Sequence, residues 1–224
     1  MLFRSITTGI GKDIILGGLG ADSIVANSGE VYALLSPTAT WDSNNIVIGD
    51  HGYIDWTIDD GIASDIDRIS TTDPGQGGND SITTGAGDDI VLGGVGSDTI
   101  VAGEGNNLVL GDNGSVRAAV QDAPNFSTQP ITLGLVSSSD PTIGGNDSIT
   151  GGLGKDIIIG GLGNDDVIAN SGESYNRFDA TSSYPRDNDN IVLGDHGFID
   201  WTIDDADPSD IDQLSTSEIG RAHV

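Results

Sequence analysis

Aspartates recur at intervals of nine residues in this chain, and their setting suits one kind of chemistry. Asp80, Asp89 and Asp98 each follow a glycine-rich stretch and stand two residues before a branched apolar side chain. Glycine-rich turns expose backbone carbonyls, and Ca²⁺ takes about 6–8 carboxylate and carbonyl oxygens as ligands. The pattern therefore predicts calcium sites in a series of turns, whereas no spacing of Ser, His and Asp singles out a catalytic nucleophile.

The unit behind this spacing is nine residues long. It consists of two small residues, any residue, Gly, any residue, Asp or Asn, any residue, a branched apolar residue and any residue. Residues 77–116 hold the least interrupted series, with TGAGDDIVL and GGVGSDTIV, and other copies read GGLGADSIV, GGLGKDIII and GGLGNDDVI. The glycines permit the positive φ that a tight turn needs. The unit thus predicts a turn followed by a very short strand.

Two such units would form one coil, and stacked coils would bury what a single unit cannot. We expect the middle residue of each strand to point inward, its neighbours to point outward, and the backbone to pair with the coils on either side. The inward residues would form an aliphatic ladder of Ile15, Ile24, Ile82, Val91, Ile100, Val109, Ile149, Ile158 and Val167. The predicted fold class is all-β, a parallel β-roll or β-helix solenoid with irregular insertions.

A longer repeat organises the units into three super-repeats, predicted at residues 1–72, 73–143 and 144–217. The segment NNIVIGDHGYIDWTIDD of the first returns in the third as DNIVLGDHGFIDWTIDD. We expect irregular insertions at 31–42 and 175–186, a loop at 117–143 after the turns of 77–116, and a non-native tail at 218–224. The opening residues lack an apolar signal-peptide core, so Met1 is read as the start of a fragment.

Stacking would place the aspartates of successive coils at the same height, where like charges repel unless a cation lies between them. We expect Asp80 to pair with Asp98, Asp89 with Asn107 and Asp147 with Asp165. Asp13 falls opposite Val31 by this count, so the first array should hold the poorest sites and Asp80, Asp89 and Asp98 the best. The predicted metal ligands are Asp13, Asp22, Asp80, Asp89, Asp98, Asn107, Asp147, Asp156 and Asp165, with turn glycines Gly18, Gly20, Gly85, Gly87, Gly94, Gly96, Gly152, Gly154, Gly161 and Gly163.

Composition narrows the partners. The chain has 35 acidic and 8 basic residues and a net charge of −27, which argues against nucleic acid and anionic membranes and in favour of cations. It has no cysteine, so disulfides and thiolate chemistry are excluded. No apolar run approaches the roughly 18 residues that a membrane-spanning helix needs.

The nonapeptides resemble the repeats-in-toxin (RTX), or hemolysin-type, calcium-binding repeat. The resemblance implies a β-roll with Ca²⁺ in its turns, in a protein that Gram-negative bacteria export by type I secretion and that folds outside the cell. Asn45, Asn107 and Asn190 depart from the family's aspartate.

The predicted function is therefore a non-catalytic, calcium-binding β-roll segment of a larger secreted bacterial protein. One alternative is a calcium-dependent adhesin module that binds a glycan or protein through its insertions and tryptophans. Another is the tail of a secreted toxin or hydrolase whose catalytic domain lies elsewhere. Trp56 and Trp201 are expected to cap the roll by packing, and His51 and His196 to occupy exposed turns.

Overall fold

The structure is a computed structural model that describes residues 3–31, 42–57, 65–119, 125–172, 189–202 and 210–216. The expected insertions at 31–42 and 175–186 lie outside these ranges except at residues 31 and 42, and so does the expected tail at 218–224. The described residues form eighteen strands in three sheets and no helix. No described helix, accordingly, is long and apolar enough to cross a membrane.

Two parallel sheets form a solenoid, because the chain alternates between them and each coil gives one strand to each sheet. The first sheet has the order β1 (Phe3–Thr7), β3 (Ala21–Val25), β7 (Ser81–Thr83), β9 (Thr99–Gly103), β13 (Ser148–Gly151) and β15 (Asp166–Ile168). The second has the order β2 (Ile14–Leu16), β4 (Ile46–Ile48), β8 (Ile90–Leu92), β10 (Leu108–Leu110), β14 (Ile157–Ile159) and β16 (Ile191–Leu193). The fold is an all-β parallel β-roll, as predicted.

A narrow aliphatic core lies between the two parallel sheets. Its buried members include eight of the nine predicted ladder residues, together with Ala26, Val47 and Ala102, and Val167 packs against it half-buried. Side chains at the middle of each strand reach this core because neighbouring coils are in register, for example Ile82 with Ile100. The predicted ladder is therefore confirmed.

A third, antiparallel sheet was not predicted. After every second coil the chain leaves the solenoid as a hairpin, and the three hairpins pair side by side. Their strands are β5 (Gly52–Asp55), β6 (Arg68–Thr71), β11 (Gly114–Ala118), β12 (Leu133–Ser138), β17 (Phe198–Asp200) and β18 (Gln213–Ser215). The expected loop at 117–143 is wrong in this respect, because β12 lies within it and pairs with both β11 and β17.

The hairpin sheet creates a second core on the outer face of the second parallel sheet. Leu92 and Leu110 flank the inward residues of their strands, yet both are buried against hairpin residues such as Ile69 and Val116. The expectation that these flanking residues point to solvent is wrong for β4, β8, β10 and β14, whose flanking residues are buried. It holds for Ile14 and Leu16 of β2, which are exposed. It also holds for Ser81 of the uncovered first sheet. The result is three layers around two cores.

The expectations for the two tryptophans and for His196 have different outcomes. Trp201 is half-buried against the second core, as a packing cap should be, whereas Trp56 is 41% exposed and does not act as a cap. His196 is buried, so the expectation of an exposed turn is wrong for it. His196 lies between β16 of the second parallel sheet and β17 of the hairpin sheet, and its Nδ1 is 3.7 Å from Asp195 Oδ1.

Candidate metal centre

The turns of the solenoid form two rows, which differ in composition. In the glycine row the chain passes from the second parallel sheet to the first, and the turns end at Asp22, Asp80, Asp98, Asp147 and Asp165. In the mixed row the chain passes from the first sheet to the second, and the turns end at Asp13, Asn45, Asp89, Asn107, Asp156 and Asn190. Aspartate therefore stands on every rung of one row and alternates with asparagine in the other.

Hydrogen bonds run along the glycine row without interruption. The backbone N–H of Asp80 donates to Oδ1 of Asp98 at 2.7 Å, and the N–H of Asp98 donates to Oδ1 of Asp147 at 2.8 Å. The same bond links Asp22 to Asp80 and Asp147 to Asp165. Each carboxylate thus uses one oxygen to hold the preceding coil, and the expected neighbours Asp80–Asp98 and Asp147–Asp165 are in contact.

The mixed row has the same ladder. The N–H of Asp89 donates to Oδ1 of Asn107 at 3.0 Å, so this expected pair is also adjacent. The expectation that Asp13 falls opposite Val31 is wrong, because the N–H of Asp13 donates to Oδ1 of Asn45 at 3.1 Å. Counting by eighteen fails there because 32 residues separate Asp13 from Asn45.

The second carboxylate oxygen of each glycine-row aspartate faces a small space lined by oxygen. A Cβ built on Gly49 would collide with Asp80 Oδ2 and with the carbonyl oxygen of Gly93. A Cβ built on Gly160 would likewise lie 2.7 Å from Asp165 Oδ2 and 2.9 Å from the carbonyl oxygen of Gly194. The same pairing recurs beside all five first-position glycines of the row, which are Gly17, Gly49, Gly93, Gly111 and Gly160. We call these spaces the glycine-row pockets.

These carboxylate oxygens are orphaned. Oδ2 is buried without a hydrogen-bond partner among the described residues in Asp22, Asp80, Asp98, Asp147 and Asp165. Oδ2 of Asp13 and of Asp89 in the mixed row is in the same state, so this feature alone does not distinguish the two rows. A buried, unpaired carboxylate oxygen is costly. Paired with a converging carbonyl in a pocket that only glycine leaves open, it matches the oxygen ligands of a hard cation such as Ca²⁺. Among the described residues no three His, Cys, Asp or Glu side chains gather as a metal cluster, so backbone carbonyls must supply the remaining ligands.

Electrostatics point the same way. Burial, the largest cause, raises the pKa of Asp80 and Asp147 to about 7 and that of Asp98 well above its ordinary value, and neighbouring carboxylates add to the rise. Adjacent rungs of a parallel sheet are about 4.8 Å apart. At an effective dielectric constant of about 20, two unit charges at that distance repel by on the order of 3 kcal/mol. The glycine row therefore favours either protonation or a bound cation.

Two of these pockets are divided by hairpins, which the repeat pattern does not reveal. Gly49 and Asp80 belong to one pocket although a hairpin separates them in sequence, and so do Gly111 and Asp147. The available signal is that Gly49 and Gly111 each follow an apolar triplet, as Gly93 does. A hairpin inserted after the second position of the turn separates the aspartate from the first-position glycine in sequence. The two residues nevertheless stay adjacent in the structure.

Asp50 and Asp112 were also missed. Oδ1 of Asp50 accepts the N–H of Gly78 at 3.1 Å and Oδ2 accepts the N–H of Val95 at 2.6 Å. Asp112 accepts the corresponding bonds from Gly145 and Leu162. Burial raises the pKa of Asp50 to about 7 and that of Asp112 to about 8. Each fastens the base of a hairpin to its own turn and to the next turn of the glycine row.

Arg4 occupies the aspartate position at the open end of the glycine row, where β1 pairs Arg4 with Asp22. Its guanidinium Nη1 donates to the carbonyl oxygens of Leu19 at 2.6 Å and Gly17 at 3.4 Å, and it lies 3.6 Å from Asp22 Oδ2. A side-chain cation thus contacts the same kinds of oxygen that line the pockets further along the row.

The predicted turn glycines adopt the expected backbone. All of them except Gly152 have a positive φ, with Gly94 at 107° and Gly96 at 129°. Close packing against the adjacent coil reinforces this requirement, since a Cβ on Gly94 would meet the side chain of Asp50. The role of these glycines and of the aspartates of both rows as metal ligands stays a prediction.

Comparison with known families identifies four copies of one repeat. Residues 5–30, 75–100, 92–115 and 143–174 match the RTX calcium-binding nonapeptide repeat. No curated protein and no solved structure matches the chain. The matched segments contain all five glycine-row aspartates, whereas two of the three hairpins lie outside them.

Proposed function

Because this chain carries RTX calcium-binding nonapeptide repeats, we propose that it is a calcium-dependent structural β-roll segment of a larger secreted bacterial protein. In this proposal the segment is non-catalytic, leaves the cell by type I secretion and folds once it meets extracellular calcium. The predicted β-roll and the repeat family support the calcium-binding part directly, and secretion follows the general behaviour of RTX proteins.

The observation that carries the proposal is the row of orphaned carboxylate oxygens. Five aspartates on adjacent rungs, four of them buried and Asp165 half-buried, each direct a buried Oδ2 at a carbonyl oxygen of the next coil. Calcium would supply positive charge and accept both kinds of oxygen. The glycine-row residues Gly49, Asp80 and Gly93 would hold one such ion, and the equivalent residues of the other four pockets would hold the rest.

The rest of the chain positions these oxygens. Parallel pairing sets the rung spacing, the Oδ1 hydrogen bonds orient each carboxylate, and the aliphatic core fixes the distance between the two rows of turns. When no cation is bound, the chain must fold against the repulsion of its own aspartates. Low calcium inside a cell would therefore keep the segment expanded, and millimolar calcium outside would permit folding.

Circular dichroism in the far ultraviolet tests this proposal. The purified chain should give a coil spectrum in chelator and a β spectrum with calcium, with a midpoint at about 10⁻⁴–10⁻³ M, the range of extracellular calcium modules. Magnesium at the same concentration is the control, because it demands a smaller octahedral site. A spectrum that does not respond to calcium would remove the proposal.

A cavity favours glycan binding as a second candidate function. The cavity measures about 560 Å³ and lies between the second parallel sheet and the hairpin sheet. Trp201 and Phe126 give it aromatic faces, and Asn106, Lys155 and Asp210 give it polar groups. Aromatic faces with a few polar groups are the lining of many small-molecule sites. An adhesin role for the segment would use this cavity.

A glycan array separates this role from a purely structural one. In calcium, the wild-type chain and the Trp56→Ala variant should bind the same glycans, because Trp56 does not line the cavity, whereas Trp201→Ala should lose them. Binding that is absent from the array, or equal in both variants, would leave the structural role alone.

A further inference from the structure

The two rows of turns are chemically different, and we infer that calcium binds only in the glycine row, because side-chain donors of the protein itself close the mixed row. The inference rests on the proposed calcium-binding function and goes beyond it by assigning the sites. It restricts the sequence-based prediction, which places ligands in both rows. Asp13, Asp89, Asn107 and Asp156 then bind no metal, although Oδ2 of Asp13 and of Asp89 is buried without a hydrogen-bond partner among the described residues.

Asparagine amides occupy the cation position on alternate rungs of the mixed row. Nδ2 of Asn107 donates to the carbonyl oxygens of Gly103 at 3.1 Å and Gly105 at 3.3 Å. Nδ2 of Asn45 donates to the carbonyl oxygens of Ser43 and Thr84. Oδ1 of each asparagine still holds the preceding coil, as an aspartate does. The amide therefore replaces the orphaned oxygen with a donor, and a cation cannot lie against that donor.

Threonine hydroxyls close the rungs that carry Asp13 and Asp89. Thr8 and Thr84 stand at the first turn position, where the glycine row has glycine. Oγ1 of Thr84 donates to the carbonyl oxygen of Ala102 at 2.8 Å, and Oγ1 of Thr8 donates to that of Ala26 at 3.2 Å. In the glycine row the corresponding carbonyls lie against a glycine, which has no side chain to donate to them. Here a side chain fills the space and takes the carbonyl.

Alternation also weakens the repulsion between the aspartates of the mixed row. Two aspartates of the mixed row are separated by an asparagine rung, so they lie about 10 Å apart rather than about 5 Å. Asp89, for example, has Asn45 and Asn107 as its neighbours on the row. Asp98 of the glycine row has Asp80 and Asp147 instead. Only the glycine row stacks carboxylates without an intervening neutral group.

The rung of Asp156 is the mixed-row position most similar to a glycine-row pocket. Gly151 stands at its first position, and a Cβ there would collide with Asp156 Oδ2 and lie 3.5 Å from the carbonyl oxygen of Ala169. That carbonyl, however, accepts Nδ2 of Asn190 at 3.0 Å. A single amide thus separates this rung from a complete pocket. Replacing Asn190 with aspartate removes the donor and adds a carboxylate oxygen.

Calcium stoichiometry tests the inference, measured by equilibrium dialysis against Ca²⁺ and atomic emission on the folded full chain. The wild type should bind five ions, one for each glycine-row pocket. Asn190→Asp should bind one more. The matched control is Asn164→Asp, which makes the same substitution at an exposed position beside Asp165 and should leave the number unchanged. Asp89→Asn should also leave it unchanged, since Asp89 lies in the mixed row.

The outcomes separate this inference from the function it rests on. Three results would overturn the assignment although the chain still binds calcium. They are a wild-type value near twice the number of glycine-row pockets, loss of an ion in Asp89→Asn, and no added ion in Asn190→Asp. Absence of calcium binding in every variant would overturn the proposed function together with the assignment. Far-ultraviolet circular dichroism of each variant in calcium confirms that the compared chains are folded.

Discussion

The glycine row and the mixed row lie on opposite edges of one solenoid, share one hydrogen-bond ladder and differ in how they satisfy their carbonyls. At the end of its turn, the glycine row has Asp98 where the mixed row has Asn107 on the same coil. The carboxylate leaves an orphaned oxygen, and the amide donates to two carbonyls. The difference teaches that the same stacked turn can either leave its carbonyls without a side-chain donor or satisfy them from a side chain, depending on a few side-chain atoms.

The largest effect is expected from the first turn position, which the two rows fill differently. In Gly93→Ala the new Cβ would lie 2.5 Å from Asp98 Oδ2 and collide with the carbonyl oxygen of Gly111. Such overpacking typically costs about 1–3 kcal/mol, and loss of the ion would add to it. In the mixed row, Ala102→Gly removes a buried methyl group and should cost about 1 kcal/mol.

Calcium titration and urea unfolding in calcium measure this pair. Gly93→Ala should shift the calcium midpoint to higher concentration, and Ala102→Gly should leave that midpoint near the wild-type value. Equal shifts in the two variants would show that the rows do not differ in metal binding.

The next effect changes sign with calcium. Asp98→Asn should lower the free energy of unfolding in saturating calcium by about 1–3 kcal/mol, because a buried ion then faces an amide instead of a carboxylate. Without calcium the same variant should be more stable than the wild type, since repulsion from Asp80 and Asp147 is relieved. Urea unfolding in calcium and the residual β signal in far-ultraviolet circular dichroism in chelator measure this reversal.

The mixed row supplies the control for that reversal. Asp89→Asn should change stability in the same direction with and without calcium, because no ion depends on it. If Asp98→Asn destabilises the chain in both conditions, carboxylate repulsion is not what opposes folding in the absence of metal.

A smaller effect is expected from pH on the calcium-free chain. The pKa values of Asp80 and Asp147 are raised to about 7 and that of Asp112 to about 8, from an ordinary value of 3.8. Between pH 4 and pH 8, roughly, the folded chain then binds more protons than the unfolded chain. The free energy of unfolding therefore rises as the pH falls from about 8 toward about 4. Circular dichroism of the calcium-free protein at several pH values measures this, and a loss of β structure on acidification would contradict it.

Much of the solenoid could be predicted because the nine-residue period of the sequence determines it locally. The inward ladder from Ile82 to Val109 follows directly from one apolar residue in every nine. The glycines with positive φ and the aspartates on adjacent rungs follow from the same period. Each of these features depends on residues close in sequence, so the pattern specifies them.

The hairpin sheet and its consequences could not be predicted in the same way. Its strands are short, and β12 lies in a stretch whose Pro and Ser content indicates a loop. Pairing of β12 with β17 joins residues far apart in sequence. Two contacts of the solenoid depend on inserted residues. Gly49 lies beside Asp80 across one insertion, and Asp13 contacts Asn45 across another. Periodicity holds no information about such excursions.

The most direct test is a crystal structure of the chain grown in calcium, with anomalous scattering used to locate the ions. We expect calcium peaks beside Asp22, Asp80, Asp98, Asp147 and Asp165, each within about 2.3–2.6 Å of a carboxylate oxygen and a carbonyl oxygen. We expect none beside Asn45, Asn107 or Asn190. Peaks along the mixed row, or a glycine row without calcium, would contradict the account.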